Sequence, residues 1–115
     1  MLQVNAMQPD AADKVFAALG DGTRRAIVRM VTHGPQSVSS LARALNVTLT
    51  AIAQHLRVLQ ACGLLQTRKV GRVRICELDC RGLDVLADWV AFNRQIWGHR
   101  FDALGVMLQE DVDEK

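Results

Sequence analysis

The sequence has no tyrosine and only five Phe or Trp residues, so aromatic stacking cannot build its core and aliphatic side chains must do most of the burying. No apolar run approaches the ~20 residues that span a bilayer, and the first acid falls where a signal peptide would be basic, which points to a cytoplasmic protein with no membrane contact. Cys62, Cys76 and Cys80 are an odd number in no disulfide-rich pattern, as expected in a reducing compartment. Internal repeats and low-complexity tracts are absent. So are nucleophile–base pairs, paired carboxylates and phosphate loops, which leaves an enzyme reading, and any cofactor, without support. The 115 residues suit one domain, 1–115, with a single modest core.

The most informative absence is acid. From residue 22 to residue 76 there are nine Arg or Lys residues (Arg24, Arg25, Arg29, Arg43, Arg57, Arg68, Lys69, Arg72, Arg74) and no Asp or Glu. All twelve acids lie outside this segment, against five bases, so the net +2 conceals +9 in the middle and −7 elsewhere. A solvated face normally mixes signs; a one-signed segment is the footprint of a polyanion binder.

Inside that segment, residues 37–63 read as two short helices joined by a tight turn. Val38, Leu41 and Leu45 make one apolar stripe, with Ser37 placed to cap the start. Asn46 tolerates the left-handed conformation that turns the chain, Val47 plugs the corner, and Thr48 caps the next helix. Ile52, Leu56 and Leu59 then fall in one sector of that helix, while Thr50, Gln54 and Arg57 occupy the opposite side. Hydroxyl, amide and guanidinium groups on a slim face without acid suit an element lying in a major groove. An ordinary pair of core helices would share the period; the charge distribution favours DNA.

The flanks have their own patterns. Residues 1–9 show no period and read as a loose arm. A helix over 10–19 has its apolar positions Ala12, Val15, Phe16 and Leu19 at offsets of three, four and seven and ends at Gly20; a second starts at Asp21, has Ile27, Val28 and Val31 on its inner side, and offers Arg24, Arg25 and Arg29 either to phosphate or to water. Over 64–78 the period becomes alternating, giving two strands around Gly71. Arg72 and Arg74 share a face there, with Arg68 and Lys69 across the turn, a cationic wing for the DNA backbone or minor groove, or a charged edge against aggregation. A long helix over 83–108 repeats Leu83, Leu86, Val90, Trp97, Phe101, Leu104 and Leu108, with Trp89, Phe92 and Ile96 as a second stripe. Two stripes exceed what so small a domain can cover, so this helix and that over 10–19 are expected to form a two-fold interface through Val15, Leu86, Val90, Trp97, Phe101 and Leu104; the alternative is that both stripes wrap the core of a single subunit. Residues 110–115 read as a frayed acidic tail.

With LGDGTRRAIV, LARALNVTLTAIAQHLRVLQACGLL and TRKVGRVRICEL in this order, before a Trp-containing terminal helix, the chain resembles the ArsR (SmtB/ArsR) family of bacterial winged-helix repressors over nearly its whole length. The resemblance implies a mainly α winged helix-turn-helix, about five helices plus a two-stranded wing, dimeric through its terminal helices. It also implies contact with double-stranded operator DNA by Thr48, Leu49, Thr50, Gln54, His55 and Arg57 and, from the wing, Arg72 and Arg74. Departures are equally specific. Ser37 and Ser39 stand where metal sensors of the family carry Cys-x-Cys, and Asp84, Asp88 and His99 are too few for its terminal-helix metal site. The chain therefore looks closer to the metal-independent branch, with no small-molecule effector identifiable. Gly22 replaces a common proline, and Leu49 and Ala53 replace common polar residues of the reading helix.

Cys62 and Cys76 flank the reading helix and the wing, so Cys62, Cys76 and Cys80 are candidate redox levers; buried cysteine acting as a small apolar residue is the plainer alternative. His55 lies at the margin of the apolar sector, as either a packed histidine or a phosphate contact.

Overall fold

The computed structural model describes residues 10–113, with side chains described to Arg100 and then at Leu104, Gly105, Met107 and Leu108. The arm expected over 1–9 lies outside the described residues. The element order is α1 (Ala11–Leu19), α2 (Gly22–Thr32), β1 (Gln36–Ser37), α3 (Val38–Leu45), α4 (Leu49–Ala61), β2 (Leu65–Val70), β3 (Val73–Leu78) and α5 (Cys80–Asp113). This is a mainly helical winged helix-turn-helix.

Each helix start is set by a local side chain, as the composition leads one to expect. Asp10 accepts from the Asp13 amide at 2.8 Å, and Asp13 reaches back to the Asp10 amide to complete a capping box. Asp21 accepts from the Arg24 amide at 3.0 Å, Ser37 from Ser40 at 3.1 Å and Thr48 from Ala51 at 3.1 Å. Asn46 ends α3 in the left-handed region, φ 54°. There its amide and that of Val47 satisfy carbonyls of the last turn of α3. These caps fix the corner between α3 and α4, and hence the direction in which α4 projects.

The sheet has one strand that periodicity could not indicate. β1 is two residues long, pairing Gln36 with Cys76 and Ser37 with Ile75, so the order is β1-β3-β2, all antiparallel. It ties the start of α3 to the base of the wing. β3 begins at Val73, which places Arg72 in the turn beside Gly71 (φ 63°) and not in the strand. α5 also departs from expectation, starting at Cys80 instead of residue 83 and running past 108 to Asp113, into the segment read as a frayed tail. Its early start has a cause: the Asp79 carboxylate accepts from the Arg81 amide at 3.1 Å and from the Arg81 guanidinium at 2.7 Å. That satisfies an orphan donor of the first turn.

One core joins these elements. Val15, Ile27, Leu41, Ile52, Leu59, Leu64, Leu65 and Cys76 are fully buried, drawn from α1, α2, α3, α4, β3 and the entry to β2. Truncating any of the leucines to alanine would cost about 2–5 kcal/mol. Val15, expected at a subunit interface, is 1% exposed in this core, and Leu86 is half-buried against it. Both face inward because α1 packs along the first turns of α5 and covers them. Phe16 is what α1 exposes, and its ring meets that of Trp89 edge-on at 4.9 Å. From residue 87 to residue 100 every residue of α5 except Asn93 is exposed, so the helix does not fold back onto the core.

Candidate nucleic-acid interface

The buried sector of α4 is Ile52, Leu56 and Leu59. Thr50, Gln54 and Arg57 are exposed opposite it, and Thr48, Leu49 and Ala53 are exposed at the leading end of the helix beside it. The Thr48 hydroxyl already caps the helix, so toward a ligand it offers its hydroxyl proton and methyl. Beside this face runs a groove of about 360 Å³ between α4 and the wing, lined by Val38, Leu49, Ala53, Leu56, Arg57, Gln60, Thr67 and Arg74. Its floor is aliphatic, its rim carries two guanidinium groups, and no acid lines it.

The wing is held at a set distance from α4. Gln60 Nε2 donates to Thr67 Oγ1 at 2.7 Å, and the same oxygen accepts from Arg74 Nε at 3.3 Å and Nη2 at 3.2 Å. Thr67 opposes Cys76 and Lys69 opposes Arg74, so these four side chains share one sheet face by strand alternation. Arg74 thereby turns toward α4. Arg68 lies on the other face, where it pairs with Glu77. The four cations expected together are thus divided: Arg74 and Lys69 on the groove side, Arg72 in the exposed turn, Arg68 neutralised by the acid just beyond the acid-free segment.

On the α2 side three of these residues have partners within the subunit. Arg24 donates to the Ala18 carbonyl at 2.6 Å and Arg25 to the Leu19 carbonyl at 2.7 Å. Both satisfy orphan carbonyls at the end of α1. His55 lies at the edge of the outer face. It is half-buried, with Nδ1 3.5 Å from Arg24 Nη1 and 3.9 Å from Asp21 Oδ2, because one residue before Leu56 its ring points toward the N-terminus of α2. The Asp21 carboxyl is held below its usual range, chiefly by the Arg24 amide. Arg43, counted among the nine cations but given no contact of its own from the sequence, lines a shallow groove with Asn46, Thr48 and Leu49 at the start of α4. Gln60 and Thr67, which set the wing, were equally unmarked; their only signal was position within the acid-free segment.

The cysteines are separated in environment. Cys62 ends α4, half-buried, its thiol donating to the Leu59 carbonyl at 3.4 Å. Cys76 is buried under the sheet. Burial pushes both thiols up, away from the reactive thiolate. Cys80 is exposed at the first residue of α5. Among the described residues no three His, Cys, Asp or Glu side chains gather as metal ligands, and no described helix is long and apolar enough to cross a membrane.

A helix-turn-helix with an acid-free reading face, flanked by a cationic hairpin, defines the class of winged-helix DNA-binding transcriptional regulators. A family model described as a helix-turn-helix domain matches residues 19–68. Over 74 residues the chain is 47% identical to the HTH-type transcriptional regulator Rv2034 of Mycobacterium tuberculosis, spanning 64% of this chain and 69% of that one. The ArsR-like transcriptional regulator of Rhodococcus sp. RHA1 superposes with a TM-score of 0.72 at 39% identity, over 82% of this chain and 89% of its own. A further ArsR family transcriptional regulator, known from its crystal structure, gives 0.73 at 32% identity over 79% and 94%. The protein belongs to the ArsR family of winged helix-turn-helix transcriptional regulators.

Proposed function

We propose that the protein is a homodimeric, sequence-specific repressor of the family's metal-independent branch, binding an imperfectly palindromic operator and excluding other proteins from it. The observation that carries this reading is the groove on which Arg57 of α4 and Arg74 of the wing both open without an acid between them. A helix in the major groove and a hairpin along the adjacent backbone would bring phosphate to that rim. Thr48, Leu49, Thr50, Gln54 and Arg57 meet the bases or their flanking phosphates, with Arg72 and Arg74 on the backbone; phosphate contacts supply most of the affinity.

Dimerisation is supported by α5, where Val90, Trp97 and Leu104 are 45%, 51% and 49% exposed and Phe92 and Met107 still more so. An apolar stripe of this length in water is unfavourable, and a second copy covers it. The side chain of Phe101, assigned to the same stripe, lies outside the described residues. The metal-independent assignment is supported by Ser37, whose hydroxyl is occupied in capping α3 and in a 2.8 Å bond to Ser40. Selection from random duplex DNA at fixed salt tests the reading. A palindromic motif with half-sites about one helical turn apart is expected. Enrichment of no sequence would reject it.

A further inference from the structure

Leu49 is the first residue of α4 and is 61% exposed, although the core takes Ile52, Leu56 and Leu59 from the same helix. Packing therefore does not account for it. Ala53 follows one turn later, also exposed, and residues four apart on a helix are neighbours. The two form a small apolar patch at the leading end of α4, with Thr50 and Gln54 beside it and Arg57 behind.

The N-terminal residues of a recognition helix are those that reach base edges. Among the groups a major groove displays, the thymine 5-methyl is the apolar one. Leucine cannot satisfy the amino group of cytosine or adenine, nor the acceptors of guanine, so those bases at its position would lose water without gaining a partner. We propose that Leu49, supported by Ala53, is a specificity-determining residue that reads the 5-methyl group of one thymine in each operator half-site. This rests on the reading that α4 lies in the major groove of DNA.

The test replaces each thymine of the selected operator by deoxyuridine, one at a time, which removes a methyl group and leaves every hydrogen-bonding group in place. At one position per half-site the wild-type protein should bind about fourfold more weakly, the worth of one buried methyl, and about fifteenfold more weakly when both half-sites are changed. Leu49→Ala and Leu49→Gln, both helix-compatible at an exposed site, should bind the thymine and uridine operators equally at that position. Circular dichroism confirms that the variants fold, and the uridine series on wild-type protein stands without them. An operator indifferent to uridine throughout, or equal losses in wild-type and Leu49→Ala protein, overturns the assignment while leaving DNA recognition intact. Failure to enrich any duplex overturns both.

Discussion

The amide of Gly82 in α5 donates a 2.8 Å hydrogen bond to the carbonyl of Gly63 just past α4, and a β-carbon at Gly82 would stand 2.9 Å from that same oxygen. Two backbones touch where α4 ends and α5 begins. Gly63, at φ 77°, supplies the left-handed turn that makes the approach possible.

Gly82→Ala should therefore destabilise the protein by about 1–3 kcal/mol, the usual range for overpacking, even though alanine favours helix over glycine. Chemical denaturation measures it. A neutral or stabilising effect would mean that the two helices are not locked at this point. Gly98→Ala, which meets nothing within 4 Å, is the control and should be neutral or slightly stabilising.

The arginines of α2 separate folding from binding. Arg24→Met keeps the apolar stem and removes the donors to Ala17 and Ala18. A loss of about 1–2 kcal/mol of stability is expected, since charge-assisted bonds to carbonyls are worth somewhat more than neutral ones and this one is only part-buried. The salt dependence of operator binding should be unchanged, because the guanidinium faces α1. A reduced salt slope in a fully folded Arg24→Met protein would return this residue to the DNA surface.

What could be read from the chain follows the range of the interaction. Ser37, Asn46 and Thr48 act on backbone within a few residues, and the helix-turn-helix was visible from them together with the aliphatic period. β1 was not, because two residues carry no period and their partners, Cys76 and Ile75, lie some forty positions on. The candidate surface was legible as a sum of charge but not as a geometry. Arg24 and Arg25 answer carbonyls six residues earlier, and Arg68 answers Glu77 across the hairpin, pairings that no count of signs contains.

The wing should show that division directly. Arg72→Ala and Arg74→Ala are each expected to weaken binding to all sequences and to lower the salt slope by about one unit, whereas Arg68→Ala, already paired with Glu77, should change it by much less. Gln54→Ala should alter preference at particular base pairs with little effect on the slope. Thr67→Val, which removes the acceptor shared by Gln60 and Arg74, should reduce affinity without removing a charge. Equal slopes for the three arginine variants would contradict the arrangement of the hairpin.

Acid should act first at the helix starts. The Asp79 carboxyl is held below its usual range mainly by hydrogen bonds from the Arg81 guanidinium, and burial opposes this less strongly. A carboxyl whose folded pKa lies below its unfolded value stabilises the fold fully above the unfolded value, near pH 4, and loses that contribution as pH falls through the folded one. Asp21 has the same sign, with the Arg24 amide as its leading cause. Stability measured from pH 6 to pH 2 should fall in this window, and Asp79→Asn should flatten the fall while lowering stability at pH 7. An unchanged acid limb in Asp79→Asn would assign the dependence to other carboxylates.

Assembly makes the strongest demand on α5. Val90 and Trp97 lie seven apart on one side of the helix, while Gln95 falls off both apolar stripes at 100° per residue. An aspartate at Val90 or Trp97 would place an unpaired charge in a covered apolar contact, so Val90→Asp and Trp97→Asp should each weaken self-association at least about a hundredfold by sedimentation. Neither position belongs to the subunit's own core, so thermal unfolding of the dissociated chain should remain cooperative. Operator affinity should fall with the dimer, because two recognition helices are then no longer held at one helical turn, and Gln95→Asp should change neither quantity. Dimers that persist in both stripe variants would place the contact between copies on another face, and the spacing of the half-sites would have to be explained without α5.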